Sequence, residues 1–444
     1  GVAYYLGNDS GIKHTFKDTT VTNGQRYYYA VTAYDKGSDS IQIYPSENAI
    51  AVSQTLRGGT ILPKNVVEVV PNPQSLGYVS ALAESIVHDQ GTGFGNVNIA
   101  VLNPELVPDN QIYKIVFNNP GDSVKAVQYS LINTTKGDTI FATGTDFGGV
   151  GSGPVGTGLL PIIQTPATVL IDSTNTGFTS ESKSTIGIKY RYANALPIQV
   201  RRPGFPSDFE IVFGSTVLDT SIAAIGIPSK PVKFSIVAHT SNGDMKLKFR
   251  FRDVDNDSTI NSLGEYIDIV TYSTANPTVA MSTWRMDFDT TGQYIRGAIV
   301  KPTLGDRYMF KIKKPFSSED VFTFRTVGQK IDNNLAKNQF NNKPYVVPNP
   351  YVGAASFEPQ RFAVSGRGER KIEFRNLPEN CTIRIYTING ELVKSIEHYG
   401  GLTKGYAEWD LRTKDNLDAA PGLYIFHVDS KEVGTYIGKF AIIK

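Results

Sequence analysis

From residue 245 to 252 the chain reads Met-Lys-Leu-Lys-Phe-Arg-Phe-Arg, with apolar and cationic side chains in unbroken alternation. Successive side chains of an extended chain point to opposite faces. The run therefore predicts a strand with Met245, Leu247, Phe249 and Phe251 inward and Lys246, Lys248, Arg250 and Arg252 outward. Asn242-Gly243 just before it is a hairpin signal. Comparable runs, bounded by Gly, Pro, Asn or Asp, predict strands at 112–117, 124–132, 186–192, 209–213, 232–238, 266–272 and 321–325. Near the start, strands are expected at 26–34, 41–44 and 48–53, punctuated by Gly24 and the turn Asp35-Lys36-Gly37-Ser38. Only 78–88 has a helical look. At the end, seven runs are expected: 362–364, 371–375, 382–386, 391–396, 407–411, 423–428 and 436–443. Their expected core is Ile383, Ile385, Leu392, Val393, Trp409, Tyr424, Phe426 and Phe440. The pattern predicts an all-β chain of tandem β-sandwich domains.

Two joints share one motif. Val69-Val70-Pro71-Asn72-Pro73 recurs as Val346-Val347-Pro348-Asn349-Pro350. Each proline fixes its own φ and disfavours helix before it, so both read as stiff, extended leads into a following module. The expected divisions are a partial domain at 1–54, a linker at 55–63 and a central β-region at 64–327. An Asn-rich linker at 328–345 and a terminal sandwich at 346–444 follow. If the central region has two lobes, their joint is expected near 226–231. The stretch Asp332 to Lys343 holds too little apolar content to fold alone and is read as linker.

Two resemblances follow from particular residues. Phe16-Lys17-Asp18-Thr19 and Asn23 to Asp35, with its Tyr27-Tyr28-Tyr29 run, resemble the second half of a fibronectin type III domain, an immunoglobulin-like sandwich. Half a sandwich exposes an apolar face and open edges, so either upstream sequence or strand addition by a neighbouring subunit is expected to complete it. Residues 346–444 resemble the type A C-terminal sorting domains of type IX secretion in Bacteroidetes and Ignavibacteria. The matching features are Val347-Pro348-Asn349-Pro350-Tyr351, Phe374-Arg375-Asn376-Leu377-Pro378, Ile383-Arg384-Ile385-Tyr386, Trp409-Asp410-Leu411, Ala420-Pro421-Gly422-Leu423-Tyr424 and Gly438-Lys439-Phe440. That resemblance implies export across the outer membrane by the type IX machinery and an extracellular or cell-surface location.

Composition sharpens this only a little. Net charge is +2, so no global field gathers nucleic acid. No apolar run approaches the roughly 20 residues of a membrane helix. The single cysteine, Cys381, excludes an internal disulfide. The outward cations of 245–252 read as a solvated face, because stacking aromatics are absent from that run; a surface for acidic glycans or nucleic acid is the alternative.

One stretch carries candidate chemistry. Asp253, Asp255 and Asp257 alternate, Thr259 offers a backbone carbonyl, Asn261 a side chain, and Glu265 lies beyond. Oxygens at this spacing suit a hard cation such as Ca²⁺. The loop departs from the EF-hand pattern in two ways: Ser258 replaces the turn glycine and Glu265 falls one position late. An ion-free acidic turn is the alternative reading.

Gly151-Ser152-Gly153-Pro154-Val155-Gly156 satisfies a dinucleotide-binding pattern by letter alone, since Pro154 and Pro161 forbid the required helix; it reads as a flexible loop. His14, His88, His239, His398 and His427 show no metal-ligand spacing, and no nucleophile elbow occurs. The expectation is a non-catalytic structural protein, a self-associating subunit of a surface filament, sheath or layer. Its rivals are an accessory part of a surface hydrolase and a glycan-binding adhesin.

Overall fold

The computed structural model describes residues 16, 18–35, 37–54, 60–119, 124–192, 204–240, 242–272, 277–289, 300–352 and 370–443. The chain is all-β and built of β-sandwiches, with one short α-helix among the described residues. It divides into two compact units: residues 1–82, 101–109 and 327–444 form the first, and 83–100 with 110–326 the second.

The first unit opens with narrow ribbons. Tyr27–Ala30 pairs antiparallel with Val66–Val69, Tyr34–Asp35 with Ser46–Glu47, and Ser53–Gln54 with Thr60–Ile61. A strand was expected at 41–44, but Asp39–Ile41 forms a 3-10 turn instead. No apolar side chain is buried among the described residues of 16–70.

The C-terminal sandwich of this unit packs a three-stranded sheet on a five-stranded one. The first runs Tyr345–Val347, Ile372–Arg375, Tyr406–Trp409. The second runs Tyr351–Val352, Gly434–Ile443, Gly422–Ser430, Asn380–Thr387, Leu392–Tyr399. Trp409, Phe374, Phe440, Ile383 and Ile385 fill the space between them. Every expected core residue is buried except Leu392, which is 40 % exposed on the edge strand. The run expected at 362–364 lies outside the described residues.

Three features of this unit depart from the sequence reading. The second Pro-Asn-Pro does not lead into the sandwich; it lies inside it. Tyr345–Val347 already belongs to one sheet and Tyr351–Val352 to the other, so the prolines carry the chain across the core. Both X-Pro bonds there are cis. The Asn-rich segment, read as linker, forms the helix Asn333–Phe340. Asp332 caps it by accepting from the amides of Asn334 and Leu335, and Ala336 is buried. Finally, 78–88 is no helix but holds the short strands Tyr78–Val79, Leu82–Ala83 and Val87–Gln90. The first of these pairs with Lys330–Ile331.

The second unit nests one sandwich within another. An outer lobe sets the strands Asp138–Gly144, Gln128–Asn133, Gln111–Asn118 and Val321–Val327 in order, with Val87–Gln90 beyond. Tyr113, Ile115, Tyr129, Leu131, Ile163 and Phe324 are buried there. The inner lobe is inserted between Gln164 and Lys314. Its five-stranded sheet runs Gly177–Phe178, Arg307–Phe310, Asp208–Phe213, Phe234–Thr240, Gly243–Lys246. Its four-stranded sheet runs Gly187–Tyr192, Ala280–Asp289, Tyr266–Tyr272, Lys248–Arg252. Residues 226–231 lie within this lobe, between the paired strands Asp219–Thr220 and Pro231–Val232.

The alternating run at 245–252 spans a corner. Gly243–Lys246 belongs to one sheet of the inner lobe and Lys248–Arg252 to the other, with Leu247 buried at the turn and its amide bonded to the Ile236 carbonyl. Strands that switch sheets make such corners. Leu247, Phe249 and Phe251 are buried as expected, whereas Met245 is 45 % exposed because it lies before the corner. The glycine-rich loop is packed: an added side-chain carbon on Gly153 would collide with the Tyr129 hydroxyl.

Candidate metal centre

Lys248–Arg252 and Tyr266–Tyr272 are partners in one antiparallel hairpin, and residues 253–265 close it. Alternation ends at Asp253, where the chain curls through two left-handed residues, Asn256 (φ 65°) and Ser258 (φ 70°). Ser258 thus adopts the conformation that glycine usually supplies at that position. Glu265 returns immediately before Tyr266 and lies under the loop, 1 % exposed.

Oxygens of Asp253, Asp255, Asp257 and Glu265 all lie within 4.8 Å of one another. At that spacing each pair of carboxylates repels by roughly 3 kcal/mol at an effective dielectric of about 20. Loop amides offset part of this. Asn256 and Ser258 donate to Asp253 (2.8 and 3.3 Å), Asp257 to Asp255 (3.2 Å) and Thr259 to Asp257 (3.0 Å). The Glu265 carboxylate accepts from the amides of Asn261, Ser262 and Val254 at 2.7, 2.8 and 3.3 Å. Burial nevertheless pushes the Glu265 carboxyl up from its usual range, while the Ser262 hydroxyl holds Asp255 down.

Two lysines also enter the site. Lys230 Nζ stands 3.4 Å from Asp253 Oδ2 and 2.6 Å from Asn256 Oδ1, and Lys301 Nζ donates to Asn261 Oδ1 at 3.1 Å. The four carboxylates thus come together, while Thr259 and Asn261 meet the cluster through nitrogen. Thr259 uses its amide, and the Asn261 side-chain amide donates to Asp257. Such a cluster of hard oxygens could hold a metal ion. Neither lysine was visible as a partner in the sequence, because Lys230 and Lys301 are both remote from the loop along the chain and carry no motif.

Other reactive groups are engaged structurally. Cys381 is buried and its thiol is pushed up to about 12, far from the thiolate a nucleophile requires. His88 Nε2 lies 2.9 Å from Asp320 and stacks on Phe322, and His239 Nδ1 lies 2.8 Å from Asp244. No histidine joins a metal-ligand group among the described residues. No helix among them is long and apolar enough to cross a membrane, which leaves spanning strands untested.

The fold and this loop define the chain as an all-β sandwich protein with an acidic hairpin end whose four carboxylates could hold a metal ion. No protein-family model matches it, and no curated protein does. Among solved structures, PorZ, a surface component of the type-IX secretion system of Porphyromonas gingivalis, aligns at 10 % identity over 91 % of this chain and 67 % of its own, with TM-score 0.21. The flagellar hook junction protein FlgK from Burkholderia pseudomallei aligns at 10 % over 56 % of this chain and 44 % of its own, TM-score 0.16. Latent PorU from Porphyromonas gingivalis aligns at 10 % over 86 % and 35 %, TM-score 0.15. The chain spans less than half of the latter two. Likenesses this low decide nothing about activity.

Proposed function

We propose that the chain is a non-catalytic structural part of a cell-surface protein, exported by the type IX route through its terminal sandwich and polymerised by strand pairing at residues 16–70. The observation that carries this reading is the state of those residues. Tyr28, Val31, Ile41, Tyr44, Ile50 and Val67 are all exposed on two-stranded ribbons and the turns between them. Isolated two-stranded ribbons are marginally stable, and exposed apolar edges invite pairing.

The same unit is stitched across the length of the sequence, as a structural role requires. Pro73 O accepts from the Gly405 amide and Ser75 Oγ donates to Gly401 O, so the segment after the first Pro-Asn-Pro is bonded to the terminal sandwich. Arg375 donates to Asn23 O. Tension between the first and last modules would pass through these bonds.

In this reading Ca²⁺ binds Asp253, Asp255, Asp257, the Thr259 carbonyl, Asn261 and Glu265 and stiffens the hairpin end, with the Asn261 amide turned to present its oxygen. The test is light scattering of the purified 444-residue chain across concentration, followed by high-resolution imaging. Ordered polymers with Tyr27–Ala30 paired to a neighbouring copy are expected, and Tyr28→Asp with Val31→Asp should dissolve them. Monodisperse particles at every concentration would overturn the polymer reading and direct attention to other segments of the same protein as the completing strands.

A further inference from the structure

The outward cations of Lys248–Arg252 do not stand alone on their sheet. Register places Arg250 opposite Asp268 and Arg252 opposite Tyr266. On the next strand Arg285 stands opposite Asp268, and Asp287 opposite Tyr266. The outermost strand adds Arg191 opposite Arg285 and Lys189 opposite Asp287. Among the described residues, one face of the four-stranded sheet thus carries six cations against the two carboxylates Asp268 and Asp287, to which register adds Asp289 at the strand end, opposite Gly187. Net charge over the whole chain is only +2, so this is a local concentration.

The two carboxylates are already committed. Asp268 is buried and takes both Arg285 nitrogens at 2.7 Å, and Asp287 pairs with Arg191 at 3.1 Å. Arg250 bonds neutral acceptors, Ser282 Oγ and Ala280 O. Among the described residues no carboxylate pairs with Lys248, Arg250 or Arg252. Arg191 directly faces Arg285, a like-charge pair that costs stability unless anions lie nearby. Lys189, Arg191, Lys248 and Arg252 are exposed. Lys248 also lines a cleft of about 1530 Å³ that continues from the end of the face.

We propose that this face binds an extended anionic polysaccharide, whose carboxylates or sulfates lie across the cationic rows. Charge complementarity selects a polyanion, and the state of Tyr266 selects among polyanions. Single-stranded nucleic acid is held by a cationic surface together with free aromatic rings for its bases. Here the Arg285 guanidinium lies 4.1 Å from the Tyr266 centroid, so that ring is already covered, and Tyr272 at the far end of the same strand, 42 % exposed, is one ring where such binding stacks successive bases. A glycan bearing acid groups needs no such platform. This inference stands apart from polymerisation and from the acidic loop.

The test uses the full chain with EDTA present, which removes any contact bridged by a metal ion. Polygalacturonate, uncharged dextran and a single-stranded DNA oligonucleotide are titrated in turn by calorimetry. Polygalacturonate should bind at about 50 mM salt and weaken tenfold or more by about 200 mM, as counterion release requires. Dextran should not bind. Lys248→Glu with Arg252→Glu should weaken polygalacturonate binding at least about tenfold with an unchanged unfolding temperature. The control Lys136→Glu with Lys431→Glu, two exposed lysines elsewhere, should change it far less. Absence of binding, equal losses in the two double variants, or tighter binding of the DNA would overturn the proposal.

Discussion

The second unit handles acids in two opposite ways. The turns at 303–306 and 317–320 each bury one aspartate. Asp306 Oδ2 accepts from the Thr303 amide and hydroxyl at 2.8 and 3.2 Å, and its Oδ1 from the Lys183 amide at 2.8 Å. Asp320 repeats this with the Ser317 amide and hydroxyl at 2.8 and 3.2 Å and the Gly93 amide at 2.8 Å. Each turn leads into a strand whose aromatics, Tyr308 and Phe310 or Phe322 and Phe324, enter a core. The hairpin end at 253–265 instead crowds four carboxylates. A buried carboxylate saturated by N–H and O–H donors pins two segments together. A crowded set with donors for only part of its charge is one that could hold a cation.

The largest effect should come from breaking the saturated kind. Asp320→Ala strands the amides of Gly93 and Ser317 in a buried site, so urea unfolding should show a loss of about 3 kcal/mol. Asp306→Ala should behave alike, and a loss below about 1 kcal/mol in both would break the distinction.

Next in size is the crowded kind. Calcium at about a hundred times its dissociation constant should add about 2.7 kcal/mol to the second unit, and Asp257→Ala should abolish that gain. Without calcium the signs should separate. Asp257→Asn should stabilise by about 1 kcal/mol through relieved repulsion, while Asp320→Asn destabilises. Thermal unfolding with and without EDTA reads both.

A buried titratable group in the first unit extends the comparison. Burial lowers the pKa of His398 from its ordinary 6.5. The unfolded chain therefore binds a proton first as pH falls, so stability should be flat above about 6.5 and decline below it. His398→Phe should remove that decline from the pH profile of the terminal sandwich. Smallest of all, Ser258→Gly relieves a left-handed serine and should stabilise by about 0.5–1 kcal/mol without weakening calcium binding. A loss would show that the Ser258 side chain itself supports the loop.

Much of this architecture was legible because period-two alternation reports burial directly. The strands around Phe209, Ile267 and Phe324 and the core around Trp409 fell where alternation put them. The acidic loop was legible too, since its three aspartates alternate along one turn. The helix Asn333–Phe340 was not, because among its many asparagines only Leu335, Ala336 and Phe340 are apolar, and it is held by the Asp332 cap, the buried Ala336 and the packing of Phe340 on the terminal core.

By itself the sequence determined the all-β class, the position of most strands and the acidic hairpin end, since each depends on neighbours a few residues apart. Tertiary structure alone decided that Leu247 is a corner, that the second Pro-Asn-Pro crosses a core, and that Arg191, Arg285 and Arg250 share one face. Those facts depend on which strands pair, and pairing is set by packing between residues far apart in the chain, such as Gly187 with Asp289 and Gln111 with Thr326.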